Sequence, residues 1–91
     1  MKYEIVPSNQ FKKDLKTAHK RGYDLDKIKK VIAALASGEA LDPKYRDHSL
    51  AGNYSGCREC HIQPDWLLVY QVNEDRLILL LIRTGTHSDL F

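Results

Sequence analysis

Residues 56–84 read GCRECHIQPDWLLVYQVNEDRLILLLIRT, and their pattern decides the fold. Three runs rich in β-formers, Gly56 to Gln63, Trp66 to Val72 and Arg76 to Thr84, are separated by the turn formers Pro64-Asp65 and Asn73-Glu74-Asp75. Short apolar runs joined by such turns predict an antiparallel meander of three strands. The longest apolar run, Leu77 to Ile82, suits a buried strand and is far too short to span a bilayer. The string CRECH, Cys57 to His61, has the Cys-x-x-Cys-His spacing of a haem-attachment or metal motif. In a strand, however, residues three apart point to opposite faces, so Cys57 and Cys60 are expected to be separated and to hold no cofactor. Alternation groups Cys60 with Ile62 on one side, and Glu59 with His61 on the other.

Working outward from the meander, Lys2 to Val6 alternates like a strand, with Tyr3 and Ile5 on one face and Pro7 as its end. Ser8 is a candidate N-cap for a helix from Asn9 to about Arg21, with Phe11, Leu15 and Ala18 as its apolar stripe. After Gly22, Asp24 caps a second helix in which Leu25, Ile28, Ile32 and Leu35 form the packed face, closed by Gly38. Residues 39–55 read as a loop carrying the polar cluster Tyr45, Arg46, Asp47 and His48. The predicted order is β-α-α-β-β-β: one α+β domain over residues 1–91, with a helical hairpin packed on one face of a mainly antiparallel sheet and the other face left for function.

Length and charge limit what such a chain does. At 91 residues it buries about 60 to 65% of its unfolded surface, which argues against a deep enclosed cavity. The N-terminal MKYEIVPSN lacks the apolar stretch of an export signal, so a cytoplasmic location and no membrane association are expected. Residues 1–30 carry nine Lys or Arg against four Asp or Glu, whereas residues 31–91 carry five against eight. Lys12, Lys13, Lys16 and Lys20 gather on the outer face of the first helix, a cationic patch suited to phosphate backbones or acidic proteins, or simply to water.

The polar residues of the second half form a chemically coherent set. His48, His61, Asp65, Arg83 and His87 all lie where the sheet and its flanking loops can gather them. Cleaving RNA by attack of its own 2′-hydroxyl requires a base, an acid for the departing 5′-oxygen and a cation for the charge on phosphorus. Histidine serves as either proton carrier near neutrality, and arginine offers a fork matched to phosphate. His61 and His48 are both candidates for the base, His87 for the acid, Asp65 for orienting a histidine and Arg83 for the phosphate. Phe91 is a candidate for stacking on a base or for folding back on the core, and Trp66 reads as core. No metal or cofactor is required by this chemistry.

The segments YRDHSLAGNYSGCRECHIQPDWLLVY, Tyr45 to Tyr70, and RTGTHSDLF, Arg83 to Phe91, resemble the YafQ-like toxins of the RelE/ParE superfamily, and SNQFKKDLKTAHKRG, Ser8 to Gly22, does so more weakly. The resemblance implies a compact RelE-like domain and a type II toxin: an endoribonuclease that enters the A site of the 70S ribosome and cuts mRNA. It maps the family's active-site positions onto His48, His61, Asp65, Arg83, His87 and Phe91, with Trp66 on the family's Asp-Trp pair. In this setting Lys12, Lys13, Lys16 and Lys20 are expected to meet ribosomal RNA. The implied partners are a cognate DinJ/RelB-like antitoxin, the ribosome with its rRNA, and mRNA. Two other readings stay open: a relative that poisons DNA gyrase, and a non-catalytic module that binds RNA or protein. The Cys-x-x-Cys pair departs from the family pattern outside these positions, bearing only on redox sensitivity.

Overall fold

A computed structural model describes all residues from Met1 to Phe91. The elements run β1 (Glu4–Pro7), α1 (Asn9–Lys20), α2 (Leu25–Ala36), β2 (His48–Ser49), β3 (Arg58–Gln63), β4 (Trp66–Asn73), β5 (Ile78–Gly85) and α3 (His87–Leu90). Single 3₁₀ turns at Pro43–Tyr45 and Gly52–Tyr54 flank β2. One five-stranded sheet has the order β1-β5-β4-β3-β2, in which only β1 and β5 pair in parallel.

The helices start where the sequence provides caps. Ser8 Oγ accepts the Phe11 N–H at 3.0 Å and Asp24 Oδ1 accepts the Asp26 N–H at 3.0 Å, each satisfying a donor the helix itself leaves free. Phe11 and Ala18 of α1 and Ile28, Val31, Leu35 and Ala36 of α2 are buried against Cys60, Trp66, Leu68, Tyr70, Leu79 and Leu81 of the sheet. Polar atoms buried beneath the helices are also paired, since Trp66 Nε1 donates to Thr84 Oγ1 at 2.9 Å and Thr84 Oγ1 donates to the Leu67 carbonyl at 2.7 Å. Trp66, 1% exposed, is thus core.

Four sequence expectations change. The sheet face away from α1 and α2 is not bare: Leu67 and Val69 are buried there beneath Leu90, with Leu50, Tyr54, Cys57 and Ile82 around them. The stretch taken as plain loop contains β2, which is too short to carry a period of its own. Pro7 closes β1 from within rather than ending it beforehand, which the sheet tolerates because β1 is an edge strand. Leu77 does not join the last strand; it sits in the turn with φ of 54° and is 45% exposed, because the Asn73 side chain accepts the Arg76 N–H and prolongs the turn. The expected separation of the cysteines does hold, with Cys60 in the helix-facing core and Cys57 beside the smaller cluster.

Candidate active site

Register assembles the site. His48 of β2 pairs with Glu59 of β3, Glu59 with Val69 of β4, and Val69 with Arg83 of β5. Residues directly opposite one another share a face, so His48, Glu59 and Arg83 stand in one row across the sheet, with adjacent strands about 4.8 Å apart. His61, two residues beyond Glu59, heads the next row through Leu67 to Gly85. His48, Glu59 and His61 lie on the face opposite α1 and α2, at the rim of the small apolar cluster, while Arg83, beside the register shift at Val69 and Tyr70, turns its side chain to α1.

Glu59 is the centre of the set and is only 4% exposed. Its Oε1 lies 3.5 Å from His48 Nε2 and 3.5 Å from His61 Nε2. The other nitrogen of each ring is committed: His48 Nδ1–H donates to the Arg46 carbonyl at 2.7 Å, and His61 Nδ1–H donates to the Pro64 carbonyl at 3.3 Å. Both Nε2 atoms therefore converge on one buried carboxylate oxygen, an arrangement that brings two proton-carrying rings to one acceptor. The backbone that delivers His48 is braced by its neighbour, since Asp47 accepts from Tyr70 Oη at 2.5 Å and from Arg58 Nε at 3.3 Å. The Tyr70 hydroxyl is driven above its ordinary range, first by burial and then by that carboxylate.

His87 reaches the cluster from the other side. The rings of His61 and His87 lie 5.7 Å apart between centroids, and those of His48 and His61 6.3 Å apart. Asp65, from the β3–β4 turn, takes two hydrogen bonds from His87, one from its backbone N–H at 3.0 Å and one from Nδ1–H at 2.7 Å. These bonds hold the Asp65 carboxyl below its usual range, the backbone bond contributing most. They also commit Nδ1–H to Asp65, which leaves Nε2 as the ring's second nitrogen.

Arg83 and Phe91 take positions the sequence did not reveal. Arg83 pairs with neither Asp65 nor Asp89; Nε and Nη2 both donate to Asp14 of α1 at 3.0 Å. Burial raises the Asp14 pKa, but hydrogen bonds from Arg83, Gln10 and the Thr84 N–H outweigh it, and the net shift is downward. Asp14 favours the charged form of Arg83, and Tyr54, which also lies beside the guanidinium, does so as well. Phe91 is 61% exposed and packs edge-on against Tyr54 at 5.4 Å, so it is not folded into the core. Lys12, Lys13, Lys16 and Lys20 are all exposed along α1.

Two residues were missed by sequence reasoning. Glu59 was placed on the His61 side by alternation, but its partnership with His48 depends on a two-residue strand with no periodic signal. Asp14 lies on the half-polar flank of α1, and nothing local marks it as the partner of a residue 69 positions away. The donor set also suits a metal: Glu59, His61 and His87 each offer a ligand atom, and these atoms lie within 4.8 Å of one another.

Comparison with known proteins bears on what this geometry serves. Residues 3–91 match the model of the YafQ bacterial toxins of type II toxin-antitoxin systems. The chain is 39% identical over 89 residues to the mRNA interferase toxin YafQ of Escherichia coli K12, covering 97% of this chain and 95% of that one. A metal-bound toxin from Helicobacter pylori, solved by crystallography, superposes with a TM-score of 0.92 at 47% identity, covering 98% of this chain and 99% of the other. The E. coli DinJ-YafQ complex contains a chain that superposes with a TM-score of 0.90 at 39% identity, covering 98% of each.

Proposed function

Since this chain belongs to the YafQ family of type II toxins, we propose that it is an endoribonuclease that cuts mRNA on the ribosome by acid-base chemistry requiring no metal. The observation that carries the reading is the convergence of His48 and His61 on Glu59, with His87 fixed by Asp65 beside them. In the proposed reaction the 2′-hydroxyl of the RNA gives its proton to the Glu59 and histidine cluster while its oxygen bonds to the adjoining phosphorus. His87 Nε2 then protonates the departing 5′-oxygen as the phosphorus–oxygen bond breaks. The products are a 2′,3′-cyclic phosphate and a 5′-hydroxyl. Arg83, in the row of His48 and Glu59, meets the charge that builds on phosphorus, and Asp14 holds its guanidinium in place. Phe91, exposed beside Tyr54, provides an aromatic face for a base.

Lys12, Lys13, Lys16 and Lys20 bind ribosomal RNA phosphates in this account, positioning the toxin in the A site without reading sequence. The neutralising partner is an antitoxin like the DinJ found with the E. coli relative, and the place of action is the cytoplasm, where ribosomes lie. No helix is long and apolar enough to cross a membrane.

The metal-bound Helicobacter relative gives a second aspect to the site. Glu59, His61 and His87 are the residues that would hold a transition metal here. Such an ion would take the lone pairs that the proton transfers need, so it is expected to inhibit. Adding Zn²⁺ or Cu²⁺ should suppress RNA cutting and a chelator selective for transition metals should restore it. Activity that disappears with that chelator and returns with the metal would reverse the assignment.

A further inference from the structure

We propose that the groove beside His61 binds the single-stranded RNA flanking the scissile phosphate, a deepening that rests on the ribonuclease reading above. β2 covers β3 only at Arg58 and Glu59, so the edge of β3 from His61 onward is open. Between that edge, α2 and the Pro43–Tyr45 turn lies a cavity of about 610 Å³, within the ~300–1,000 Å³ of ordinary ligand sites. Lys27 and Lys30 approach it from α2, Lys44, Tyr45 and Arg46 from the turn, and His61 forms its inner end. No carboxylate lines it.

The cations of the groove are uncompensated, as the lysines of α1 are, and here they share one concave surface with no carboxylate. Arg21, Arg58 and Arg83 are each paired with an aspartate, whereas Lys27, Lys30, Lys44 and Arg46 have no acidic partner within salt-bridge distance. Four uncompensated charges on one concave surface repel one another and favour a polyanion. Tyr45 adds a half-buried ring, with Lys44 Nζ 5.1 Å from its centroid. A charged track with an aromatic platform is the recognition chemistry of single-stranded nucleic acid, and a base stacks on such a ring where an acidic peptide gains little from it. The groove is also physically continuous with the chemistry. His61 belongs to both, and Arg46, whose left-handed φ of 50° ends the turn, accepts the His48 Nδ1–H on its carbonyl. A strand lying in the groove thus delivers its next phosphodiester to the histidines.

The test is binding, read separately from cutting. A fluorescent single-stranded oligoribonucleotide with 2′-O-methyl groups throughout resists the proposed reaction, and its affinity is measured by anisotropy across a salt series. The variant K27Q/K30Q/K44Q/R46Q changes only exposed side chains and should keep the wild-type melting midpoint. It should bind far more weakly at low salt, and its log–log salt slope should be shallower by about 3, given ~0.7 per neutralised phosphate on a single strand. Tyr45→Ala should cost roughly 5- to 160-fold on that strand and little on an A-form duplex, which separates a substrate strand from helical rRNA. Unchanged affinity and slope in the folded quadruple variant overturn the proposal. So does loss of affinity for a poly-glutamate peptide with RNA binding intact, which would make the groove a seat for an acidic protein. If the variant loses oligonucleotide binding while the wild-type protein fails to cut mRNA on ribosomes, the groove stands and the nuclease reading falls.

Discussion

Glu59 carries more of this account than any other residue, and it is the one the sequence disclosed least. Alternation along CRECHIQ sets it beside His61, but a glutamate on a strand usually faces water, and only the register with β2 brings His48 over it. Glu59→Gln keeps the size and removes the proton acceptor, so the rate of mRNA cutting should fall about 100- to 10,000-fold in a protein whose circular dichroism is unchanged. Full activity in that variant would return the base role to His48 or His61 alone. Asp65 acts through His87, which it holds by two bonds. Asp65→Asn keeps an acceptor for both donors but removes the charge that favours the protonated ring. Its cutting rate should therefore fall less than that of His87→Gln, and its pH profile should lose activity at lower pH on the alkaline side. An unshifted profile would reduce Asp65 to a structural role. The cysteines end as the sequence suggested: burial pushes the Cys60 thiol up to about 12, so it should resist alkylation until the protein unfolds.

At the scale of elements, the parts legible in the sequence are those long enough to show a period. β4 and both long helices fall within two residues of their expected ends because Trp66 to Val72, Phe11 to Ala18 and Ile28 to Leu35 repeat on one face. β2 and α3, of two and four residues, have no period to show, and they hold His48 and His87. A signal for α3 was nonetheless present: Thr86-His87-Ser88-Asp89 is a capping box, in which Thr86 Oγ1 accepts the Asp89 N–H at 3.2 Å and Asp89 Oδ2 accepts the Thr86 N–H at 2.9 Å. Arg21, at the end of α1, donates from both Nη atoms to Asp89 at 2.6 and 3.1 Å and so ties α3 to the helical layer. That pair holds the Asp89 carboxyl well below the usual carboxylate range. A carboxylate whose pKa is depressed by folding stabilises fully above its unfolded value of ~3.9 and loses that contribution as pH falls toward the folded value. Asp14 and Asp89 both act in this sense. The melting midpoint should therefore be steady from neutrality to about pH 5 and fall below pH 4, with a shallower fall in Asp14→Asn and Asp89→Asn. Identical acid slopes for wild type and both variants would contradict the pairing.

Across the whole molecule, the chain divides its work between two faces of one sheet. The helical face supplies the core and, on its outside, the lysines of α1; the opposite face gathers Glu59 and the histidines proposed to move protons around a small apolar cluster. The excess of positive charge in residues 1–30 was visible in composition, and the structure spreads it over the outer side of α1 and the α2 side of the groove. If the α1 lysines grip ribosomal RNA, reversing Lys12, Lys13, Lys16 and Lys20 to glutamate should weaken ribosome association and flatten its salt dependence. An unaltered salt slope would remove them from the interface. The central claim is that Glu59 and the three histidines cut mRNA on the ribosome, and end chemistry tests it most directly. Purified protein is added to translating ribosomes with a transition-metal chelator present, and the termini of the mRNA fragments are analysed for wild type, Glu59→Gln and His87→Gln. The account predicts 5′-hydroxyl and 2′,3′-cyclic phosphate ends from the wild type and almost none from either variant. Intact mRNA with translation still arrested, or fragments ending in 5′-phosphate and 3′-hydroxyl, would contradict it.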